Sequence, residues 1–477
     1  VQKNGYALTC LADLCTIVMG QSPPSSTYNT EKRGLPFFQG KAEFSKLHPV
    51  PVKWCDACVK IAQRNDILVS VRAPVGASNI ADCSCGIGRG LAAVRYDPCN
   101  SFLFYFLKCH EKDLDKKGTG TTFRAISGDV LRSYPIHLPP LPEQRAIVAK
   151  IEQLFSELDN GIANLKKAQE QLKVYRQAVL KKAFEGDLTK AWREAQVDLP
   201  SAKELLDRIT TEREQAAKAH GKKLKPVKPI GEQELAELPV LPEGWAWARI
   251  DNILAEHRDC GYGVLQPGEH VPDGTPLIRV GDINDGIVSI FDMKKISPII
   301  AGQYKRTFLK GGEVLITLVG AIGRTAVVRD SCIGSNVARA VGVIPVSSQL
   351  NSFFIELYLR RDGMVQELIN KSHEVARKTL NLEDVKNTIV VVAPYQEQSQ
   401  IVNEIETRIS VCDNLESAIK ESLEKAEALR QSILKKAFDG SLLSEAELQE
   451  TRNAPDWEPA EQLLERIRAE RKSIGVK

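Results

Sequence analysis

The sequence predicts an α+β protein: two mixed α/β domains separated by two long helices that form an antiparallel intramolecular coiled coil, with pseudo-two-fold symmetry. Two observations carry this. The stretch Pro139 to Leu188 is written twice, since Glu143-Gln144 returns as Glu397-Gln398, Ile147-Val148 as Ile401-Val402, and Leu180-Lys181-Lys182-Ala183-Phe184 as Leu434-Lys435-Lys436-Ala437-Phe438, at one offset without a gap. About 20 of roughly 46 aligned positions are identical, which marks a true internal repeat. Both copies also carry apolar residues in steps of three and four, the signature of one helical stripe.

In chain order, residues 1–138 read as the first domain, built of short strands and turns. Gly20-Gln21-Ser22-Pro23-Pro24-Ser25 is a loop, Gly34 to Phe38 a short element, Asp66 to Val71 a strand, and Phe102 to Leu107 reads equally as helix or strand. Residues 139–188 hold the first long helix, with a stripe running from Ile147 through Leu158, Leu165 and Tyr175 to Val179. It is expected to open after Pro142 and to close on Gly186. Residues 189–240 form a connector with an amphipathic helix around Ala202 to Ala217 and a Lys/Pro stretch from Lys222 to Pro229.

The second domain spans 241–393 and is entered through Leu241-Pro242-Glu243-Gly244-Trp245. Its segment Gly312 to Gly323 matches Asn65 to Gly76 of the first domain, while the intervening loops differ. Residues 394–445 hold the second long helix, opening after Pro394 and closing on Gly440, with its stripe from Ile401 through Cys412 and Leu429 to Ile433. Residues 446–477 repeat the connector in shortened form, Gln462 to Ile467 echoing Glu204 to Ile209. A narrow apolar seam cannot be buried alone, so the two helices are expected to pack on each other, each on the order of 60 Å long, with a globule at each end.

Composition is that of a globular protein, with 43% apolar and 26% charged residues. No apolar run approaches bilayer-spanning length and no leader pattern opens the chain, so a cytoplasmic location without membrane attachment is expected. An odd count of eleven cysteines argues for free, mostly buried thiols over a zinc site at Cys55, Cys58, Cys83 and Cys85. The net charge is +3, yet the first 135 residues hold 17 Lys and Arg against 11 Asp and Glu, whereas 241–392 balance. A basic domain suits a polyanion partner.

Catalytic signatures are weak. Gly320-x-x-Gly323-Arg324-Thr325 lacks the first glycine and the lysine of a phosphate loop. Asp273, Asp292 and Lys294 imitate a Mg²⁺-dependent nuclease, without a counterpart in the first domain. Leu138-Pro139-Pro140-Leu141 lacks the acceptor and aromatic residue of an adenine methyltransferase motif.

Two dissimilar domains, each followed by a repeated helix that opens Pro-x-x-Glu-Gln and closes Leu-Lys-Lys-Ala-Phe-(Glu/Asp)-Gly, together with Leu-Pro-Glu-Gly-Trp at a domain entry, resemble the specificity subunit of type I restriction-modification enzymes. The resemblance covers essentially the whole chain; one departure is Asn4-Gly5-Tyr6 in place of Glu243-Gly244-Trp245. It implies that each domain is a target recognition domain reading half of a bipartite site in double-stranded DNA. It implies that the helices set the gap and dock two modification (methyltransferase) subunits, with restriction (motor-nuclease) subunits completing the complex. This chain would then carry no catalytic residue, metal or cofactor of its own, S-adenosylmethionine being held by the modification subunits. The readings set against this are a protein-binding coiled-coil scaffold and the nuclease.

For DNA contact the first domain offers Gln21, Ser22, Ser25, Tyr28, Asn29, Lys32 and Arg33 on its polar loop, and Arg72 and Arg89 after strand-like segments. The second offers Arg279, Lys305, Arg306, Arg324, Arg339, Arg377 and Lys378. Amides and guanidinium groups suit base edges, and lysines suit phosphates.

Overall fold

A computed structural model describes residues 5–120, 124–221, 224, 226–284, 286–374 and 378–473. The chain forms two compact units, Val1–Lys166 with Ile419–Lys477, and Lys167–Ala418.

The long helices span Leu141–Phe184 and Tyr395–Phe438. The first begins one residue before Pro142, where a missing N–H costs nothing because first-turn donors have no partner in the helix. Both end in one way. Gly186 and Gly440 take left-handed φ of 82° and 70°. The N–H groups of Asp187 and Ser441 then turn back to the carbonyls of Lys182 and Lys436. The repeated Lys-Lys-Ala-Phe-x-Gly is thus a glycine C-cap written twice.

In the first unit, Ile147 and Ile151 of the first helix pack with Ile433, Leu434 and Ala437 of the second, and Asp159 pairs with Arg430. In the second unit, Val179, Leu180 and Ala183 pack with Ile401 and Ile405, and Arg176 meets Asp413 at 2.6 Å. Within each unit the helices therefore run antiparallel. Arg176 and Arg430 are repeat equivalents, as are Asp413 and Asp159, so each unit holds the same cross-helix pair. The stripe is not covered throughout: Tyr175 and Leu429 are about half exposed, because a pair of helices leaves one flank of its seam to solvent.

The two globules share one plan. A four-stranded sheet in the first orders Thr16–Met19, Leu91–Arg95, Ile67–Ser70 and Ser78–Ile80; its counterpart orders Gly261–Tyr262, Val341–Ile344, Val314–Thr317 and Thr325–Val327. A parallel pair stands beside each, Leu35–Phe38 with Cys85–Ile87, and Thr275–Ile278 with Asn336–Val337. The segment around Phe102 is helix, Asn100–Cys109, apolar on nearly every side because the sheet and Phe438 both cover it.

Each globule is braced by a helix from the connector or its echo. Ala202–Ala219 packs Ala202, Leu205 and Ile209 on the second; Ala460–Ser473 packs Ala460, Leu463 and Ile467 on the first. Even the entry bond repeats, Ala202 N–H to Gly244 O at 2.8 Å and Ala460 N–H to Gly5 O at 3.0 Å. All eleven cysteines are free, five buried and six half-buried. No described helix is long and apolar enough to cross a membrane.

Candidate nucleic-acid interface

The central strand Ile67–Ser70 is wholly buried, and its continuation defines a site. Val71 donates its N–H to Gly90 O at 2.9 Å and accepts from Ile126 N–H at 3.0 Å. The next side chain, Arg72, is thereby delivered exposed at the rim of a cleft of about 940 Å³. Arg89 reaches the same cleft from the Gly88-Arg89-Gly90 turn, whose second glycine is forced: a Cβ on Gly90 would stand 2.0 Å from Gln39 O. The far wall is the polar loop. Ser22 Oγ accepts the Arg89 N–H at 3.2 Å, and Tyr28 stacks on Phe37 with its hydroxyl donated to Pro23 O at 2.9 Å.

The cleft thus brings together Ser22, Ser25, Tyr28, Arg72 and Arg89 of the predicted residues. Gln21 is exposed beside it. Asn29, Lys32 and Arg33 lie on a turn outside its lining: the Asn29 amide closes that turn on Arg33, Arg33 pairs with Glu31 at 3.0 Å, and Lys32 rests 5.9 Å from the Trp54 ring. The lining residues Gln39, Lys41 and Glu43 escaped sequence reading. The only signal for them is their place just past the apolar element Leu35–Phe38.

The second unit builds the same frame. Leu318 N–H donates to Ala340 O at 2.8 Å, Leu318 O accepts from Leu380 N–H at 2.9 Å, and Ala338 N–H donates to Ile278 O at 2.9 Å. These match Val71 with Gly90, Val71 with Ile126, and Gly88 with Phe38. The register equates Arg89 with Arg339 and Gln39 with Arg279. Arg339 is exposed; Arg279 is held by Asp282, whose carboxylate hydrogen bond raises the guanidinium pKa against burial.

Arg324 and Lys378 are exposed near the same strand end. The Arg324 N–H donates to Thr317 Oγ1 at 2.9 Å, and Thr379 bridges Val319. Lys305 and Arg306 sit apart, exposed on the turn Lys305–Thr307 beside Asn336. Arg377 lies outside the described residues.

Among the described residues no group of three or more His, Cys, Asp or Glu side chains is disposed to hold a metal. Burial pushes the Cys58 and Cys85 thiols up to about 12, keeping both protonated. Lys294 of the nuclease-like triplet donates to Gly268 O at 2.6 Å.

A family model described as "Type I restriction modification DNA specificity domain" matches residues 4–167 and 261–425. The EcoBI type I restriction enzyme specificity subunit of Escherichia coli is 36% identical over 387 residues, 80% of this chain and 74% of that one. The putative MjaX specificity subunit of Methanocaldococcus jannaschii is 41% identical over 175 residues, 36% and 40% of the two chains. Among solved structures, a chain from a study of type I R-M complex assembly superposes with a TM-score of 0.65 at 19% identity, covering 92% of this chain and 99% of its own. The HsdS subunit from Thermoanaerobacter tengcongensis gives 0.55 at 19% identity, covering 92% and 98%.

Proposed function

The chain belongs to the type I restriction-modification DNA specificity family, and from that premise we propose that its first globule reads one half of a bipartite DNA target through the Arg72–Arg89 cleft, and its second the other half through the strand end beside Arg279 and Arg339. The chain is a recognition component, and its partners are DNA and the methyltransferase and restriction subunits of such a system.

The observation that carries the assignment of surface is the shared frame. Two units with different loops hold an exposed arginine, Arg89 or Arg339, at one register position beside the end of one buried strand. A frame that repeats under loops that differ suits two readers of two sequences. Exposed cations at such a rim position the duplex through phosphates and reach base edges.

In this reading two modification subunits dock on the helices and hold S-adenosylmethionine, so that adenine is methylated in a partner's site and not on this chain. That chemistry takes the base out of the stack while these globules grip the flanking duplex. Each 44-residue helix rises about 66 Å, long enough to separate half-sites about one helical turn, roughly 34 Å, apart. The complex works in the cytoplasm, where the DNA is.

An electrophoretic shift of this chain with its modification subunits tests the reading. Retardation of duplex DNA that weakens steeply as salt rises is expected, since phosphate contacts release counterions. Equal affinity at low and high salt, or no retardation, overturns it.

A further inference from the structure

Besides the loops, a position that the common frame aligns but that differs in chemistry between the two units is a source of discrimination between half-sites. Arg89 and Arg339 are the same residue at the same place, so they cannot tell one half-site from the other. The parallel strand pairs fix a second aligned position: Phe38 opposite Ile87 and Ile278 opposite Val337 put Gln39 and Arg279 at one register. Both emerge next to the shared arginine, because the residue before it, Gly88 or Ala338, donates its N–H to the carbonyl of Phe38 or Ile278.

Both side chains are also held. Gln39 stands 3.5 Å from the Tyr28 hydroxyl, and that tyrosine is fixed by its stack on Phe37. Arg279 gives its Nε and Nη2 to Asp282 at 3.1 Å each, which leaves the Nη1–Nη2 edge for a ligand. An amide offers one donor and one acceptor side by side, the pair that adenine presents at N7 and N6. A guanidinium edge offers two donors, which guanine accepts at O6 and N7. Other aligned pairs, Ser22 with Leu265 and Arg72 with Val319, set a polar group in one unit against an aliphatic one in the other. Of these positions, the one at Gln39 and Arg279 carries a bidentate group in both units.

We propose that this position determines specificity, with Gln39 reading an adenine in one half-site and Arg279 a guanine in the other. The inference rests on the reading proposed above and adds to it the assignment of residues to bases.

The test maps methylated sequences in cells that express the full chain with its modification subunits and lack restriction activity. Gln39→Arg is expected to move one position of one half-site from adenine towards guanine, and Arg279→Gln to move one position of the other half-site from guanine towards adenine. Gln39→Ala and Arg279→Ala, which demand no new fit, are expected to lose preference at those same positions by roughly 5- to 150-fold, the worth of a good bidentate base contact. The gap and the opposite half-site stay unchanged. If the wild-type chain yields a bipartite site and all four variants keep its preferences at every position, or if a Gln39 variant alters both halves, the assignment is overturned and the two-reader account stands. If the wild-type chain yields no pair of separated half-sites, the reading itself falls.

Discussion

The indole N–H of Trp245 donates to Oε2 of Glu397 at 2.8 Å, tying the entry of the second globule to the first turn of the second long helix. The other oxygen of that fully buried carboxylate accepts from Thr189 at 2.8 Å and Arg193 at 2.5 Å. In the first unit the Tyr6 hydroxyl donates to Glu143, and burial together with that carboxylate raises the phenol far above its usual range. The glutamine that follows does the second half of the work. Gln144 donates to Pro139 O at 2.8 Å and accepts from Tyr96; Gln398 donates to Ala393 O at 2.7 Å and accepts from Asn351 N–H. Glu-Gln is repeated because each helix must be fastened to its globule.

Trp245→Phe keeps an aromatic ring, though a smaller one, and removes one donor from a buried carboxylate. Hydrogen bonds to charged groups contribute about 1.5–3 kcal/mol, so urea unfolding of the full chain should lose stability in that range. An unchanged midpoint would show that the joint carries no load.

Arg249 is 2% exposed and spends its guanidinium on Lys228 O, Pro229 O, Asn387 O and the Glu234 carboxylate. The Arg249 hydrogen bond, helped by the Gly231 N–H, pulls the Glu234 carboxyl down to about 2. A folded pKa below the unfolded one gives stability that is full above the ordinary value near ~4.3 and is lost as pH falls towards the folded value. Glu234→Gln should therefore differ from wild type by a constant amount between about pH 5 and 8, and the difference should shrink below about pH 4. Arg249→Met should cost at least ~2 kcal/mol at any of these values, because three backbone carbonyls lose their donor. Denaturant titrations at several pH values read both effects.

The cross-helix pairs and the seam beneath them should separate in magnitude. Asp413 and Glu416 are largely exposed, so Arg176→Ala should cost about 0–1 kcal/mol. Ile405 is fully buried, and Ile405→Ala should cost about 2–5 kcal/mol. Equal losses in chemical denaturation would mean that the ion pair holds the helices as strongly as the apolar seam and would contradict this ranking.

The repeat, the stop glycines and the helix stripe were legible because each is a local pattern, with one residue type recurring at a fixed spacing. Phe102 to Leu107 was ambiguous for the opposite reason: a segment covered on several sides keeps no period. In the site, Arg72 and Arg89 could be named because each follows an apolar run. Gln39 and Lys41 could not, since their place depends on Phe38 lying parallel to Ile87, a pairing between distant strands that no local spacing records. Tyr175 and Leu429 fit the stripe by count yet face solvent, because periodicity tells which residues share a face and not how wide the partner is.

The helices as a spacer make a further prediction. Inserting four residues near Gln169 should change the gap between half-sites and leave both half-sequences as they were, read from the methylated sites of the variant. A change in either half-sequence would mean that the insertion reached a globule and that the helices do not act as a ruler.

Mapping methylated adenines across a genome with Arg89→Ala and Arg339→Ala variants, each expressed with its modification subunits, tests the central claim most directly. The wild-type chain is predicted to yield two specified half-sites at a fixed gap, with Arg89→Ala relaxing or weakening one half and Arg339→Ala the other. A single continuous site, or equal loss in both halves from either variant, would contradict it.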